Sequence, residues 1–163
     1  MSIVERAKNI LLKPADEWNA ISGEPANVSG LFTGYAVILA AIPLVAGILF
    51  TGVLGMSAGG FGAMGGAMSL GLSAIAGLAF IQYLLSLAIL FLMIIIVNAV
   101  SPSFNGKSDT VQSAKLMVYA STPVWVAGLI GWVPILGALV GLASIAYVVY
   151  LIYLGLNPVL GVP

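Results

Sequence analysis

The sequence predicts an all-α fold, a polytopic transmembrane helix bundle of about four spans preceded by cytoplasmic or interfacial amphipathic helices, and three observations carry that expectation. Five basic and five acidic side chains all lie in two short patches, Glu5 to Glu24 and Lys107 to Lys115, and the rest of the 163 residues carries no charge. Hydrophobic residues make up 61% and charged residues 6%, with a mean hydropathy of +1.18, whereas soluble domains carry roughly 25% charge. Uninterrupted apolar runs also reach the about 20 residues that a helix needs to cross a hydrocarbon core of about 30 Å. A Lys, Arg or Asp at the bilayer centre costs roughly 2.5–3.5 kcal/mol, so a chain that spans lipid keeps its charges outside the spans.

The first element expected is an amphipathic helix opening residues 1–29. Ile3, Val4, Ala7, Ile10 and Leu11 fall on one face at helical spacing, against Glu5, Arg6, Lys8 and Asn9 on the other. Ser2 and Glu5 have the S-x-x-E spacing of a capping box. Proline disfavours helical geometry in the residue before it, so this helix stops before Pro14 and a second short one starts there. Asp16 and Glu17 then sit near its positive end, Ala15, Trp18 and Ile21 form its apolar side, and Ser22-Gly23-Glu24-Pro25 breaks it. The pair reads equally as helices packed under a membrane domain or as an interfacial, partner-docking element whose apolar residues include Ile3, Val4, Ala7, Ile10, Leu11 and Trp18. Asn27-Val28-Ser29 matches a glycosylation sequon, but Asn27 is more simply a helix cap.

Residues 30–163 read as the transmembrane domain, with spans at about 31–54, 70–100, 113–132 and 135–156. Leu31 lies too far into the chain, and its run is too long, for a cleaved signal. Pro43 is a candidate kink. Gly55 to Ala67 is a Gly- and Met-rich connection, and Ser101 to Asp109 has turn chemistry and holds the second charge patch. Gly131-Trp132-Val133-Pro134 makes a tight turn, and Asn157-Pro158 ends the last span. Four spans place Arg6, Lys8 and Lys13 on the same side as Lys107 and Lys115, which the positive-inside rule makes cytoplasmic.

Several kinds of chemistry are disfavoured by composition. Net charge is zero, and no basic surface suits nucleic acid, whose backbone needs several Lys or Arg contacts. Without Cys or His there is no disulfide framework, thiolate nucleophile or imidazole base. Gly60-Phe61-Gly62-Ala63-Met64-Gly65 matches G-x-G-x-x-G, yet that pattern binds dinucleotides only between a strand and a helix, so a flexible loop is the better reading. Asp16 and Glu17 are neighbours that point in different directions, which favours a solvated face over a metal site. No catalytic, cofactor or metal residues are assigned, and a non-enzyme is expected. The intramembrane polar residues Gln82, Ser86, Asn98, Ser121, Thr122 and Ser144 suit interhelical hydrogen bonds. Gly137 and Gly141 form G-x-x-x-G, which suits close packing within the bundle or between subunits, and Trp125, Trp132, Tyr147, Tyr150 and Tyr153 are candidate interfacial anchors, with Trp125 placed deep for that role.

Ser2-x-x-Glu5-Arg6-x-Lys8-Asn9-Ile10-Leu11-x-x-Pro14-x-x-x-Trp18 resembles the opening of bacterial members of the Yip family, the Ypt-interacting proteins. Three further pieces resemble the same family in order and spacing: Asn98-x-x-x-Pro102-x-Phe104, Tyr119-x-x-Thr122-Pro123-x-Trp125-x-x-Gly128, and Tyr150-Leu151-x-Tyr153-Leu154-Gly155-Leu156. The resemblance implies an all-helical integral membrane protein with a cytoplasmic N-terminus, here in a bacterial inner membrane. It also implies a candidate motif of Asn98, Pro102, Phe104, Tyr119, Thr122, Pro123 and Trp125. The family commonly carries a fifth span beyond Gly161-Val162-Pro163, so the chain reads as a short member or a fragment. Two functions are expected: a non-catalytic scaffold, accessory subunit or membrane-organising factor that contacts lipids, other membrane proteins or itself; or a small transporter or channel component with a polar path near Gln82, Asn98, Ser121 and Thr122.

Overall fold

The computed structural model describes residues 1–53, 72–133 and 135–163, and every regular element among them is helical. The Gly-rich connection, the Gly60–Gly65 motif and Pro134 lie outside the described residues.

Helix α1 (Ile3–Leu12) begins at a capping box, in which the Glu5 amide donates to Ser2 Oγ at 3.2 Å and the Ser2 amide donates to Glu5 Oε2 at 2.9 Å. Lys13 leaves helical geometry, with φ −139° and ψ 56°, and α2 (Pro14–Gly23) starts with proline in its first turn, where the missing N–H costs nothing. Asn27 is indeed a cap: its Oδ1 accepts from the Gly30 amide at 2.6 Å. From there α3 (Val28–Leu31) continues through a π-helical turn, Phe32–Ala36, into α4 (Val37–Gly47), with Pro43 inside it, and a second π segment, Ile48–Val53.

Helix α5 (Leu72–Val100) is 29 residues long, about 43 Å at 1.5 Å per residue and so longer than one crossing requires. A 3-10 turn, Ser101–Phe104, follows it, and Asn105 in the left-handed region (φ 61°) lets the Gly106 amide donate back to the Ser101 carbonyl at 3.0 Å. The Asp109 carboxylate then caps α6 (Thr110–Ala120), accepting from the amides of Val111 and Gln112 at 2.8 and 3.1 Å.

The stretch expected as one span at 113–132 is two short helices, α6 and α7 (Thr122–Ala127), followed by turns from Gly128 to Val133. Pro123 is the cause: it has no N–H to give the Tyr119 carbonyl, and the Thr122 hydroxyl donates to that carbonyl instead, at 2.7 Å. Helix α6 is central, with Ser113 through Val118 all buried, and it packs against α3, α5, α8 (Leu136–Gly155) and the π segment Leu156–Leu160. Asn157-Pro158 therefore does not end the last helix. The wide π turn absorbs it, and termination waits for Gly161 at φ 69°.

Three of these helical runs, Val28–Phe50, Ser73–Phe104 and Leu136–Leu160, are long and apolar enough to cross a membrane. The α6–α7 path follows the first of them in the same direction. Tyr35 meets Thr122, Pro43 meets Gly128, and the Phe50 ring stacks on Trp132 with centroids 4.0 Å apart. Gly128 is required at its level, since a Cβ there would lie 2.7 Å from Cβ of Pro43. On α8 Gly137, Ser144, Leu151 and Gly155 are buried, but Gly137 lies against the backbone of Gly131 in the preceding turn and a Cβ on Gly141 would meet open space, so the G-x-x-x-G pair makes no close helix-to-helix approach within the bundle. A Cβ on Gly155 would lie 3.0 Å from the Trp18 ring, which seats α2 against α8.

Candidate functional site

Arg6 was expected on the polar face of α1, but the helix turns it inward, where it is only 6% exposed. The buried side of α1 is Ile3, Arg6, Ala7 and Ile10, while Leu11 is half-buried and Val4, expected on that side, is 76% exposed. A buried guanidinium needs partners. Its Nη1 donates to Glu17 Oε1 at 2.5 Å, its Nη2 to Glu24 Oε1 at 2.6 Å, and its Cζ lies 5.5 Å from the centroid of the Tyr119 ring. Burial on its own would lower the Arg6 pKa, but the hydrogen bond and charge of Glu24 and the charge of Glu17 leave it raised. Glu17, read as part of a solvated face, is buried for the same reason, and Asp16 beside it is exposed.

On the other side of Glu24, the buried ammonium of Lys115 caps the negative end of α2. It donates to the carbonyls of Ile21 at 2.9 Å, Ser22 at 3.4 Å and Glu24 at 2.6 Å. The Tyr147 hydroxyl closes the far end of α1 by donating to the Leu11 carbonyl at 2.8 Å. Trp18 and Ile10 are fully buried in the same cluster as Leu116, Leu151 and Leu160. The two charge patches thus meet at one end of the bundle and are partly consumed in holding α1 and α2 there.

Directly above Arg6 lies the motif Tyr119, Thr122, Pro123 and Trp125. Thr122 is fully buried, Pro123 is buried and Trp125 is 6% exposed, so Trp125 is a core residue and no interfacial anchor. Tyr35, from the first span, completes this group: its hydroxyl lies 2.9 Å from Thr122 Oγ1 and its ring stands edge-on to Tyr119 at 4.8 Å. A cavity of about 310 Å³ opens beside it, bounded by Arg6, Glu24, Gly30, Gly34, Tyr35 and Tyr119. Sequence reasoning missed Tyr35, although a hydroxyl in an apolar run is itself a signal that a polar partner lies across the bundle.

Asn98, Pro102 and Phe104 stand apart from that group, at the end of α5. Asn98 is half-buried and accepts from the Ser108 hydroxyl at 3.4 Å, and Pro102 and Phe104 are exposed. Gln82 is 16 positions back along α5, about 24 Å from Asn98 at helical rise. Ser121 and Thr122 spend their hydroxyls on the carbonyls of Met117 and Tyr119. Gln82 and Asn98 thus stand at different depths of α5, and Gln82 borders a cavity of about 250 Å³ with Pro43, Ser86, Val124 and Trp125. Among the described residues, no three carboxylates, imidazoles or thiols converge to hold a metal ion.

A helical bundle with three membrane-length apolar helices and all its charge at one end is an integral membrane protein. The Yip1 domain matches residues 8–163, nearly the whole chain, and the protein belongs to the Yip family. No curated protein and no solved structure matches it.

Proposed function

We propose that this protein is a non-catalytic membrane scaffold or accessory subunit, which acts through helix-to-helix contacts and through the docked pair α1–α2. The observation that carries the reading is where its polar chemistry is used. Arg6, Glu17, Glu24 and Lys115 bind one another or helix carbonyls, and the Tyr35, Thr122 and Ser121 hydroxyls bind inside the bundle. Meanwhile long faces of α5 and α8 are apolar and outward.

Four crossings are favoured over three by the parallel path of α6–α7 beside the first span, which carries the chain from Tyr35–Thr122 to Phe50–Trp132. With four crossings the N-terminus, the Ser101–Asp109 turn and the C-terminal segment share one side, in keeping with the Lys107 amide donating to the Leu160 carbonyl at 2.8 Å. The basic residues of that side make it cytoplasmic, and the opening motif favours a bacterial inner membrane. Partners on this reading are lipids and membrane proteins, including copies of the same chain.

Affinity purification from native membranes, followed by quantitative mass spectrometry, tests the role. A stoichiometric protein partner or self-oligomer is expected. A lone monomer whose thermal stability rises with a small solute would overturn it. Single Cys residues at Ser2 and Ser103, labelled with an impermeant thiol reagent, test the topology, and labelling from opposite sides would refute it.

A further inference from the structure

The cavity that Gln82 borders lies among α4, α5 and α7, and four of the side chains around it carry polar atoms: Gln82, Tyr83, Ser86 and Trp125. The Tyr83 hydroxyl donates to the Val37 carbonyl at 3.1 Å and the Ser86 hydroxyl to the Tyr83 carbonyl at 2.7 Å, so neither has a proton left to offer. Trp125 has one. Its side chain is only 6% exposed and its indole N–H has no acceptor among the described residues, yet the nitrogen is not sealed in as that of Trp18 is. The Trp132 indole, by contrast, donates to the Leu129 carbonyl at 2.8 Å. The part of Trp125 left open faces the cavity it lines, and a buried indole N–H normally finds a partner. Gln82, exposed at the mouth, adds an amide with two N–H donors.

Depth and charge narrow the ligand. Trp132, stacked on Phe50, marks the end of the bundle remote from the charge patches, and tryptophan favours the membrane–water interface. Pro43 lies seven residues before Phe50, about 10 Å further inward at helical rise. The cavity is therefore deeper than the interfacial level of phospholipid ester groups, and no charged side chain lines it to pair with an ion. A neutral carbonyl fits these conditions. Its oxygen accepts from Trp125 and Gln82 together, and it brings no proton that would itself need a partner in hydrocarbon. The rings of Tyr83 and Trp125 favour a flat molecule. At about 250 Å³ the space falls below the roughly 300–1,000 Å³ that encloses a drug-sized ligand, so it holds one ring and leaves any hydrocarbon tail in lipid.

We infer that this cavity binds a hydrocarbon-soluble molecule of the quinone class through a neutral ring carbonyl, with the Trp125 indole N–H and the Gln82 amide as donors. The site goes beyond the scaffold reading and stands or falls separately from it. The test uses the full chain with isotope-labelled indole nitrogens, in vesicles of diether phosphatidylcholine, a lipid without ester carbonyls. The chain has three tryptophans, and Trp125→Phe identifies the Trp125 resonance by its loss. The probe is a fully substituted benzoquinone with one short prenyl tail. Only the Trp125 N–H resonance is expected to move, downfield and saturably, and an arene with the same tail and no carbonyl should leave it in place. Gln82→Leu, at an exposed position, is expected to keep the melting temperature and raise the Kd of the quinone roughly two- to tenfold, the worth of one neutral hydrogen bond. A Trp125 resonance that stays in place, moves without saturating, or follows the carbonyl-free arene equally would overturn the site, as would an unchanged Kd in Gln82→Leu. A Trp125 resonance already shifted in diester vesicles and insensitive to quinone would also overturn it, because a lipid ester would then be the occupant.

Discussion

Replacing Arg6 by Gln removes the cation from two carboxylates of very different exposure, and that difference sets the expected cost. The Glu17 side chain is 7% exposed and the Glu24 side chain 43%. Breaking a buried pair by deleting one partner costs roughly 3–5 kcal/mol, because a charge is left in a poor dielectric, whereas an exposed pair is worth about 0–1 kcal/mol. The Glu17 limb should therefore account for nearly all of the loss, with Glu24 relaxing into water. At about 2–4 °C per kcal/mol for a chain of this size, Arg6→Gln is expected to lower the melting temperature in detergent by roughly 6–20 °C. It should also speed tryptic cleavage at exposed Lys8, since α1 is held down by the same contact. The control is Arg6→Met with Glu17→Met, which removes both charges and keeps apolar volume. It should recover most of the loss, because a buried ion pair is often matched by well-packed hydrophobic residues. The reasoning is refuted if Arg6→Gln melts within about 1 °C of wild type, or if the double variant is no better than the single one.

Thr122→Val should cost about 1–3 kcal/mol, since Pro123 gives the Tyr119 carbonyl no donor and the valine removes both the hydroxyl that replaces it and the partner of the Tyr35 hydroxyl; Tyr35→Phe, which removes only one partner of a hydroxyl pair, should cost about 0.5–1.5 kcal/mol by the same melting assay. Gly128→Ala is expected to destabilise by about 1–3 kcal/mol, because its Cβ would meet the rigid Pro43 ring at 2.7–3.0 Å, and unchanged melting would refute the close approach of α4 and α7. The Glu5 carboxyl is held below its ordinary value by the Ser2 amide and then by the Ser2 hydroxyl. Its contribution to the start of α1 is accordingly present above the ordinary carboxylate value and lost as pH falls through the lowered one. Hydrogen exchange should show the local protection of α1 declining in acid in the wild type but not in Glu5→Gln. Asp109→Ala, which removes the cap of α6, should cost about 1 kcal/mol.

Much of the architecture was legible because it follows from local rules. The break before Pro14, the capping box of Ser2 and Glu5, the Asn27 cap and the long apolar helices each depend on a few neighbouring residues. Where expectation and structure part, a longer-range effect decides. Asn157-Pro158 reads as a stop, yet packing against α2 and α6 carries the helix on to Leu160. Arg6 belongs to a polar face by periodicity alone, and only Glu17, Glu24 and Tyr119, arriving from two other elements, make its burial tolerable. Trp125 reads from the sequence as a deep-lying candidate anchor, because a tryptophan in an apolar run says nothing about which side of its helix is covered.

The sequence by itself determined that this is a helical membrane protein whose charge gathers in two stretches near the ends of its spans, because the cost of a charge in hydrocarbon acts residue by residue. Tertiary structure alone decided which of those charges are paired and buried. It also decided that Tyr35 and Thr122, 87 positions apart, share a hydrogen bond, and that the side of α5 bearing Leu90 and Ile94 is covered while its other sides are not. Those outcomes depend on which surfaces meet, and the hydrophobic pattern, similar on every side of a lipid-embedded helix, carries little of that information.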